Sequence, residues 1–404
     1  MSDIDTRGAA ADDDLKHYDI HASDVRREAE RAWARMRAAP ALVHGEKYGG
    51  FYFASKFKDM KEALLKHGIF SSGSGITLPE ACNRSRHIPA ETDPPIHRGY
   101  RAIMQRTLTA DRIKPMEPAV RGIVVELLDA FRGQRRVEFF SAFARPLPIH
   151  VMLHFLGLPR EDGAMLDALV VELHTEVATG VITGGAKKLT EYAESVIERR
   201  ESGLPSAADD FVATVIRGEI DGRPLTLDEK VNMVRQILIG AFDTTSLTIA
   251  AGVWWLAQHA EDAQRLRDDA SLMNSTSEEI VRFASASTYL RRTVTQDAEL
   301  GGTTLHAGDK VLLCFAAANR DPGVFRDPDK VILDRSPINH LGFGLGLHRC
   351  VGSHLAKLQI QVAFTELLAR YRELSLDAEG EIKFSSGLGQ GIVALPMIFG
   401  AASS

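Results

Sequence analysis

The sequence predicts a mainly α-helical protein with small β-sheets, built as a single domain. Between residues 94 and 259, successive segments carry apolar residues at the three- and four-residue spacing of helices. One of these segments is long enough to cross a whole domain. Short segments with strand character, bounded by glycine turns, occur before residue 55 and after residue 289. No linker, repeat or low-complexity block divides the chain, which favours one domain over several.

The N-terminal quarter of the chain is predicted to alternate between helix, strand and loop. Residues 1–16 are acidic and polar, and we expect them to form a disordered tail ahead of a domain at 17–404. The predicted elements that follow are a helix capped by Ser23 and ended by Pro40, strands at 41–44 and 51–54 around Gly49 and Gly50, and a helix at 56–67. Residues 70–95 are rich in Ser, Gly and Pro and form a loop of a length that is usually functional.

Helices dominate the middle of the chain. Their predicted bounds are 94–107, 113–131, 146–157, 162–179 and 186–200. Thr226 and Glu229 form a capping box, and the helix that it opens runs without proline to His259, about 50 Å at about 1.5 Å per residue. This helix is apolar over residues 237–255, so we expect it to be buried. A second capping box, from Ser275 to Glu278, is expected to open a further helix, and residues 382–399 are predicted to form a hairpin.

Composition and charge exclude several classes of function. The chain has 404 residues, of which 45% are hydrophobic and 25% charged, as is usual for a globular protein. A net charge of −6 argues against nucleic acid as the main partner. We find no signal-peptide pattern and expect no membrane-spanning stretch, so the protein is expected to be cytoplasmic and without a membrane anchor. The three cysteines, Cys82, Cys314 and Cys350, are too few and too scattered for a disulfide framework.

Cys350 lies in the most informative segment. It ends the run Phe343-Gly344-Leu-Gly-Leu-His348-Arg-Cys350, and an apolar helical stretch begins at Gly352. A thiol near a helix N-terminus is close to free N–H groups, which lower its pKa and favour metal binding by the thiolate. The alternative is an ordinary buried thiol, as most free cysteines are. The pattern F-G-x-G-x-H-x-C-x-G has six fixed positions and is too specific for that alternative.

These residues resemble the haem-binding signature of the cytochrome P450 family. The resemblance implies a single-domain P450 fold, with haem b between the long central helix and the helix after the cysteine loop. It also implies that Cys350 is the metal ligand, the axial thiolate of the haem iron. Phe343, Gly344, His348 and Gly352 would belong to the cofactor-binding segment. Within the family, the chain is most similar to the soluble bacterial, camphor-hydroxylating monooxygenases.

The long helix contains a polar interruption, Gly240-Ala-Phe-Asp243-Thr244-Thr. Gly240 weakens a helix by up to about 1 kcal/mol, Thr244 can hydrogen-bond back to a carbonyl and bend the helix, and an ionised Asp243 is costly to bury without partners. A kink with a satisfied hydrogen bond would explain these residues. The resemblance implies instead the family's oxygen-activation groove, in which Thr244 holds the oxygen and its water and Asp243 relays protons from solvent.

Three charged residues have an implied structural role. Glu279 and Arg282 form an (i, i+3) pair on a predicted helix, which by itself is usually a weak surface ion pair. In the family an arginine from a later meander completes this pair, and Arg335 follows a similar segment at residues 318–328. The resemblance implies that the three residues hold the cysteine loop rigid.

Haem propionates need cations or hydrogen-bond donors when they are buried. His97 and Arg101 are four residues apart and share one face of a predicted helix, which an ordinary basic stripe would also explain. Their spacing matches the family's propionate-binding H-x-x-x-R. Arg292 matches the strand arginine that reaches the other propionate, and His348 can reach a propionate too. The adjacent Arg291 would point to the other strand face, so an exchange of roles between the two arginines stays open.

Substrate-pocket residues follow only from the family's layout. The candidates are Ser85, His87, Gly240, Leu290 and Leu388, each of which plain core packing would also explain. The camphor-hydroxylating branch has an aromatic hydroxyl in the loop where this chain has Ser85. We therefore expect a small terpenoid or aromatic substrate other than camphor, in a mostly apolar pocket.

The resemblance implies a haem-thiolate monooxygenase that hydroxylates a small hydrophobic molecule with O2. Two electrons would come from NAD(P)H through a ferredoxin reductase and a [2Fe–2S] ferredoxin, because the chain has no flavin or iron–sulfur module. Arg106, Arg112 and Arg349 could form a basic docking patch or an ordinary solvated surface. The alternatives are a peroxide-dependent haem enzyme, against which Asp243 and Thr244 argue, and a haem-based sensor or binding protein without turnover.

Overall fold

Helices make up most of the structure. The computed structural model describes residues 15–22, 26–80, 86–203 and 210–400. Its longer helices are Arg26–Ala38, Phe57–Leu65, Ile96–Leu108, Glu117–Asp129, Pro146–Leu156, Gly163–Thr179, Gly185–Glu201, Leu227–Leu256, Ala260–Asp268, Met273–Ala284 and Ser353–Arg370. Shorter helices are Ala110–Ile113, Phe211–Ile216 and Phe315–Ala318, and Phe140–Ala144 is a π-helix. The predicted class, mainly α with small sheets, is confirmed.

The first described residues are already part of the fold. Leu15, within the predicted tail, is buried in an apolar cluster with Trp33, Phe51 and Phe53. Residues 1–14 and the predicted cap Ser23 lie outside the described residues. Structure therefore begins no later than Leu15, because this side chain is covered by the sheet and the first long helix.

The central helix, Leu227–Leu256, organises the molecule. It opens at the predicted capping box, in which the Glu229 N–H donates to the Thr226 hydroxyl and the Glu229 carboxylate accepts from the Thr226 N–H. The helices with the most extensive packing against it are Pro146–Leu156, Gly185–Glu201, Met273–Ala284 and Ser353–Arg370. By length and composition it could cross a membrane, contrary to the expectation above, but 67% of its most apolar window is buried inside the protein. This is the usual situation of a core helix.

Four strands of the largest sheet come from the two regions in which strands were predicted, and the fifth, Phe70–Ser71, begins the segment that was predicted to be a loop. Its five strands, in spatial order, are Val43–Gly45, Phe51–Ala54, Lys310–Cys314, Tyr289–Val294 and Phe70–Ser71. The predicted pairing of the first two strands is confirmed, with Val43 opposite Phe53. Gly49 and Gly50 have φ values of 78° and 82° in the turn between them, a region that glycine adopts without strain.

The C-terminal segment differs in part from the predicted hairpin. Lys383–Phe384 does pair with Ile392–Ala394. Pro396–Phe399 leaves this hairpin and lies between Leu374–Leu376 and Arg136–Glu138 in a three-stranded sheet. The prediction failed because one sequence shows that a segment suits a strand but does not show which distant segment pairs with it.

The second predicted capping box is wrong. The helix is Met273–Ala284, and Ser275 lies in its first turn, where its hydroxyl donates to the Leu272 carbonyl. The preceding 3₁₀ turn is capped by Asp269, which accepts from the Ser271 N–H at 2.9 Å. Glu278 does not cap the helix, because it lies beyond the first turn, and its carboxylate binds His340 and Lys357 instead.

Candidate active site

The segment before Ser353–Arg370, which we call the cysteine helix, folds into a tight loop around Cys350. The Cys350 N–H donates to the Phe343 carbonyl at 2.7 Å. Gly344 and Gly346 have φ values of 70° and 69°, in the left-handed region. A Cβ at Gly346 would also lie 3.1 Å from the Leu64 carbonyl oxygen. The glycines of the motif are therefore needed for the loop to close against the rest of the protein.

Cys350 keeps accessible surface although it lies deep in the protein. This position raises the pKa of the Cys350 thiol by desolvation, while the Gly352 N–H and the charges of Arg101 and Arg349 act in the opposite direction. The protein groups alone therefore raise the pKa of the thiol, and the expectation of a lowered pKa is wrong. The reason is that desolvation outweighs the nearby donors and cations.

Four basic side chains from a helix, a strand and the loop converge beside Cys350. The rings of His97 and His348 lie 4.5 Å apart in an edge-to-face arrangement. Burial, followed by the charge of Arg101, lowers the pKa of His97 to about 4. Burial, followed by the charge of Arg292, lowers the pKa of His348 to about 3. The structure therefore brings together all four residues that were predicted to meet the propionates.

These residues fit a buried anionic cofactor. Both ring nitrogens of His97 are buried and have no hydrogen-bond partner among the described residues. Burial lowers the pKa of Arg101, and lowers that of Arg292 to about 10. Buried polar groups are normally hydrogen-bonded, and buried cations normally have an anionic partner. The two propionates of haem b would supply those partners.

The two adjacent arginines lie on opposite faces of the strand. Arg291 donates to the Gly75 carbonyl at 3.3 Å and forms an ion pair with Glu80. Arg292 instead acts on the pKa of His348. The geometry therefore favours Arg292 over Arg291 as the propionate-binding residue.

The polar interruption of the central helix does not face the packed core. The Thr244 hydroxyl donates to the Gly240 carbonyl at 3.1 Å, the back-bond that was predicted. A Cβ at Gly240 would approach no atom more closely than 3.9 Å, the amide nitrogen of Gln236. Gly240 is exposed and Thr244 partly exposed within an otherwise buried helix. A kink alone therefore does not account for these residues.

Asp243 is bound by two basic residues that the sequence analysis did not find. His174 Nδ1 lies 2.6 Å from Asp243 Oδ2, and Arg145 forms ion pairs with both Asp243 and Asp167. Burial raises the pKa of Asp243, but the hydrogen bonds and charges of His174 and Arg145 outweigh it and lower the pKa to about 2. Asp243 is thus a carboxylate at neutral pH. Nothing in the spacing of residues 145, 174 and 243 signals that they meet.

The predicted structural triad is present and buried. Glu279 accepts from Arg282 at 2.7 and 2.8 Å and from Arg335 at 2.9 Å, and the Glu279 and Arg282 side chains are 0% exposed. The interpretation as a surface pair is therefore wrong. Arg282 also donates to the Asn319 carbonyl at 2.8 Å, and the Asn319 side chain accepts from the Leu341 N–H at 2.7 Å. Asn319 thereby connects the triad to the start of the cysteine loop.

A second connection holds the same loop. The Glu278 carboxylate lies 2.9 Å from His340 Nε2 and 2.8 Å from Lys357 Nζ on the cysteine helix. Burial raises the pKa of Glu278, but the hydrogen bonds from His340 and Lys357 outweigh it and lower the pKa to about 2. The loop is therefore fixed on both sides by buried or half-buried ion pairs and hydrogen bonds.

The pocket candidates are only partly brought together. The Leu388 carbonyl accepts from the Thr288 and Tyr289 N–H groups at 2.8 and 3.1 Å, which places Leu388 close to the strand that carries Leu290. His87 is buried, and its N–H donates to Glu91 at 2.9 Å. Ser85 lies outside the described residues.

The three arginines of the predicted docking patch are exposed. Arg106 and Arg112 follow one another at the end of Ile96–Leu108 and in the next short helix, and Arg349 lies in the cysteine loop. Arg112 also lines a separate cleft with His154 and other residues. No group of three or more His, Cys, Asp or Glu side chains suited to a metal ion occurs within the described ranges.

Known proteins of one family match this chain over most of its length. The family model described as Cytochrome P450 matches residues 181–396. The chain is 30% identical to mycinamicin IV hydroxylase/epoxidase of Micromonospora griseorubida, over 86% of this chain and 89% of that protein. It is 29% identical to linalool 8-monooxygenase of Pseudomonas putida (95% and 98% covered) and 29% identical to steroid C26-monooxygenase of Mycobacterium tuberculosis (96% and 98%).

Solved structures show the same architecture. Cytochrome P450 CYP101C1 is 28% identical, with a TM-score of 0.85 over 95% of this chain and 97% of that chain. The himastatin post-tailoring hydroxylase HmtN is 30% identical, with a TM-score of 0.81 over 92% and 97%. The folds therefore coincide over nearly the whole length.

Proposed function

Because this chain belongs to the cytochrome P450 family and is a haem monooxygenase, we propose that it hydroxylates a small hydrophobic molecule, a terpenoid or an aromatic compound. Electrons would pass from NAD(P)H through a ferredoxin reductase and a [2Fe–2S] ferredoxin. Haem b with a thiolate ligand supplies, when bound, the insertion of one oxygen atom of O2 into a C–H bond. The observation that supports this proposal is the convergence of Cys350 with four basic side chains, two of which are imidazoles.

In this proposal, Cys350 is the thiolate ligand of the iron. His97, Arg101, Arg292 and His348 hold the propionates, since the buried ring nitrogens of His97 have no hydrogen-bond partner among the described residues and burial disfavours the charges of Arg101 and Arg292. Phe343, Gly344 and Gly352 shape the loop and the N-terminus of the cysteine helix. Glu279, Arg282 and Arg335 keep that loop in place through the buried network.

Proton delivery is assigned to the polar interruption of the central helix. The Thr244 hydroxyl can donate and accept hydrogen bonds beside the accessible Gly240 position. Asp243 is adjacent in sequence and is ionised, so it can accept a proton and pass it on. The alternative of a peroxide-dependent enzyme does not need this pair.

The substrate class rests on the pocket segments and on one relative. Leu290 and Leu388 supply apolar surface, and linalool, which the Pseudomonas relative is named for, is a small terpenoid. Other relatives are named for a steroid and for mycinamicin IV. We propose that the protein lies in the cytoplasm. We also propose that the exposed Arg106, Arg112 and Arg349 bind the ferredoxin through an acidic surface of that partner.

The ligand assignment is tested by the CO spectrum of the reduced protein. Cys350→Ser should abolish the red-shifted band of a thiolate-ligated haem. Cys314→Ser is the matched control, because Cys314 is fully buried and burial raises its pKa to about 12. A red-shifted band that persists in Cys350→Ser would overturn the central assignment.

The substrate class is tested by titrating the purified ferric protein with candidate compounds and following the Soret band. A strong shift with monoterpenoids or small aromatics, followed by hydroxylated product in the presence of the redox partners, would support the proposal. Shifts only with fatty acids or steroids would contradict the substrate class and leave the haem assignment standing. Binding without product would support a sensor or binding protein instead.

A further inference from the structure

One residue near the N-terminus contacts two distant segments that adjoin the pocket candidates. His21 Nε2 donates to the Leu78 carbonyl at 2.7 Å, and the proton must lie on this nitrogen because a carbonyl only accepts. The His21 carbonyl in turn accepts from the Ser386 hydroxyl at 3.2 Å. The preceding carbonyl, of Ile20, accepts from the Gly387 N–H at 2.8 Å. Three segments that are far apart in the sequence therefore meet at His21.

The loop that contains Leu78 is connected to the pocket candidate His87. The buried Glu91 carboxylate accepts from the Ile76 N–H at 3.2 Å and from the His87 N–H at 2.9 Å. The Ile76 carbonyl accepts from the Arg291 N–H at 2.8 Å, which attaches the loop to the strand Tyr289–Val294. A shift of the loop at residues 76–78 would therefore be passed on to His87.

The hairpin turn at residues 385–390 carries the pocket candidate Leu388 and is attached to the same strand. The Leu388 carbonyl accepts from the Tyr289 N–H at 3.1 Å. The Leu388 side chain packs against a buried apolar cluster that contains Ile20, Leu78 and Tyr289. The N-terminal segment, residues 15–22, is thus a common support for the loop and the hairpin turn.

His21 is itself held firmly. The Asp19 carboxylate accepts from the His21 N–H at 2.9 Å and from Lys47 Nζ at 2.7 Å. A Cβ at Gly387 would lie 3.0 Å from His21 Nδ1, so the ring fits closely against the hairpin turn. Nδ1 is buried and has no hydrogen-bond partner within the described ranges. The bond from Nε2 to Leu78 is therefore what orients the ring.

A cleft beside this contact leaves room for movement. Its volume is about 420 Å³, and it lies between the N-terminal segment, the helix Arg26–Ala38 and the hairpin turn. Tyr18, Trp33, Ser385 and Gln390 are among the residues that line it. Because this space is not filled by packed side chains, the hairpin turn can shift when the contact to His21 is lost.

We propose that His21 determines the size of the accepted substrate by holding the loop at Leu78 against the hairpin turn. This proposal rests on the proposed function, because His87 and Leu388 are candidates for the walls of its pocket. With the contact in place, the two walls are fixed and the pocket takes compact hydrophobic molecules. Without it, the walls separate and bulkier molecules enter. His21 is a positioning residue that touches neither substrate nor cofactor.

The test uses nitrogen heterocycles that bind haem iron and shift the Soret band, so it does not require the substrate to be known. The ferric holoprotein is titrated with imidazole, phenylimidazole and clotrimazole, an imidazole that carries three aromatic rings on one carbon. We expect His21→Ala to weaken phenylimidazole binding about fivefold and to strengthen clotrimazole binding about fivefold. The dissociation constant of imidazole should change less than about twofold, because imidazole is too small to contact the walls.

Two variants separate the hydrogen bond from other effects of the substitution. His21→Gln keeps a side-chain N–H that can donate to the Leu78 carbonyl, and it should retain most of the wild-type size selectivity. His44→Ala is the control, because His44 is exposed on the neighbouring strand Val43–Gly45 and packs on the Tyr52 ring. It should leave all three dissociation constants unchanged.

Hydrogen exchange of the holoprotein gives a readout that does not depend on a ligand. In His21→Ala, the amides of residues 76–78 and 386–388 should exchange about tenfold faster, whereas those of the central helix should exchange as in the wild type. Ser386→Ala removes only the hydroxyl bond to the His21 carbonyl and should shift the size selectivity in the same direction. It keeps the test available if His21→Ala does not retain haem.

Wild-type selectivity in both His21→Ala and Ser386→Ala would overturn the proposal. An equal loss of selectivity in His21→Gln and His21→Ala would also overturn it, because the hydrogen bond would then not be responsible. In both cases a thiolate CO band that depends on Cys350 would still support the monooxygenase. Absence of that band, or of any Soret shift with these heterocycles in the wild type, would instead refute the proposed function.

Discussion

At the scale of one residue, the hydroxyl of Thr244 in the central helix could serve either the helix or the reaction. Thr244 donates to the Gly240 carbonyl at 3.1 Å, and Thr248 donates to the Thr244 carbonyl at 2.7 Å. The two bonds have the same pattern one turn apart. Thr248 is buried, however, whereas Thr244 keeps accessible surface. The two residues therefore form a matched pair for testing whether the hydroxyl serves the helix or the reaction.

Thr244→Ala should keep the consumption of reducing equivalents near the wild-type rate and divert most of it to hydrogen peroxide. The reason is that the hydroxyl to which we assign proton delivery is lost while the helix loses only one back-bond. Product, peroxide and NAD(P)H are measured together. Thr248→Ala should leave the ratio of product to NAD(P)H unchanged. Equal uncoupling in both variants would show that the effect comes from the helix and not from the Thr244 hydroxyl.

Glu278 is one of the carboxylates that make the stability of the protein depend on pH in the acid range. Its pKa is lowered to about 2 in the folded protein, so its contribution to stability is present above the unfolded value of about 4.5 and is lost as pH falls toward 2. Between pH 6 and pH 4, the wild type should lose about 1 kcal/mol more unfolding free energy than Glu278→Gln. Urea unfolding at the two pH values measures this difference. Glu381→Gln, at an exposed pair with Lys383, should behave as wild type at both.

At the scale of one element, the residues around the first turn decide where a helix begins. The central helix begins at a capping box that the sequence already showed, and the cysteine helix begins after a loop that its glycines permit. The helix Met273–Ala284 begins without a side-chain cap, because it starts two residues before Ser275 and the residue at its cap position is Leu272. Glu278 therefore lies inside the helix and binds His340 and Lys357 instead.

Thr226→Ala should destabilise the protein by about 1 kcal/mol, because the Glu229 N–H loses its acceptor. Thr226→Ser keeps the hydroxyl and should lose only a few tenths. Thermal unfolding of the holoenzyme at a fixed haem content measures both variants. Equal destabilisation by alanine and serine would mean that the threonine methyl group, not the cap, is responsible.

Asn319→Ala should weaken the cysteine loop more than its small volume change suggests. The Leu341 N–H would be left buried without its acceptor, at a cost of about 1–3 kcal/mol. We expect a lower urea midpoint and faster conversion of the thiolate CO band to the form without thiolate. Ser285→Ala is the control, since it removes the other Asn319 partner, at 2.9 Å, and leaves the Leu341 bond in place. A stable CO band in Asn319→Ala would contradict the role of this bond.

At the scale of the whole molecule, the last described strand joins parts of the chain that are far apart. Pro396–Phe399 pairs on one side with Leu374–Leu376 and on the other with Arg136–Glu138. Phe399 is buried, and its ring lies 4.7 Å from that of Tyr371 and 5.6 Å from that of Phe131. The C-terminus thus closes the helical core next to the cysteine helix.

Phe399→Ala should cost about 3–5 kcal/mol of unfolding free energy, because it removes a ring from a packed aromatic cluster. Phe399→Leu should cost clearly less, since leucine refills most of the volume. Chemical unfolding followed by fluorescence and by the Soret band reports the protein and the haem site together. A Soret transition well below the fluorescence transition in Phe399→Ala would show that this strand supports only the haem site.

Much of the fold and part of the site follow from local chemistry in the sequence. Helical periodicity, the capping box at Thr226 and the glycine turn at Gly49 act over a few residues, so they predicted the elements correctly. The pattern around Cys350 is also local, because its glycines and its cysteine lie within one short loop. The mainly α class was therefore predictable from the chain alone, and so was the glycine-dependent loop around Cys350.

Only the tertiary structure decided the contacts between distant segments. The side of the strand on which Arg292 lies, the partners of Pro396–Phe399 and the binding of Asp243 by Arg145 and His174 all depend on how elements pack. Such contacts carry no period and no spacing, because their members are brought together by the burial of other residues. The sequence determined which groups could do chemistry, and packing determined which of them meet.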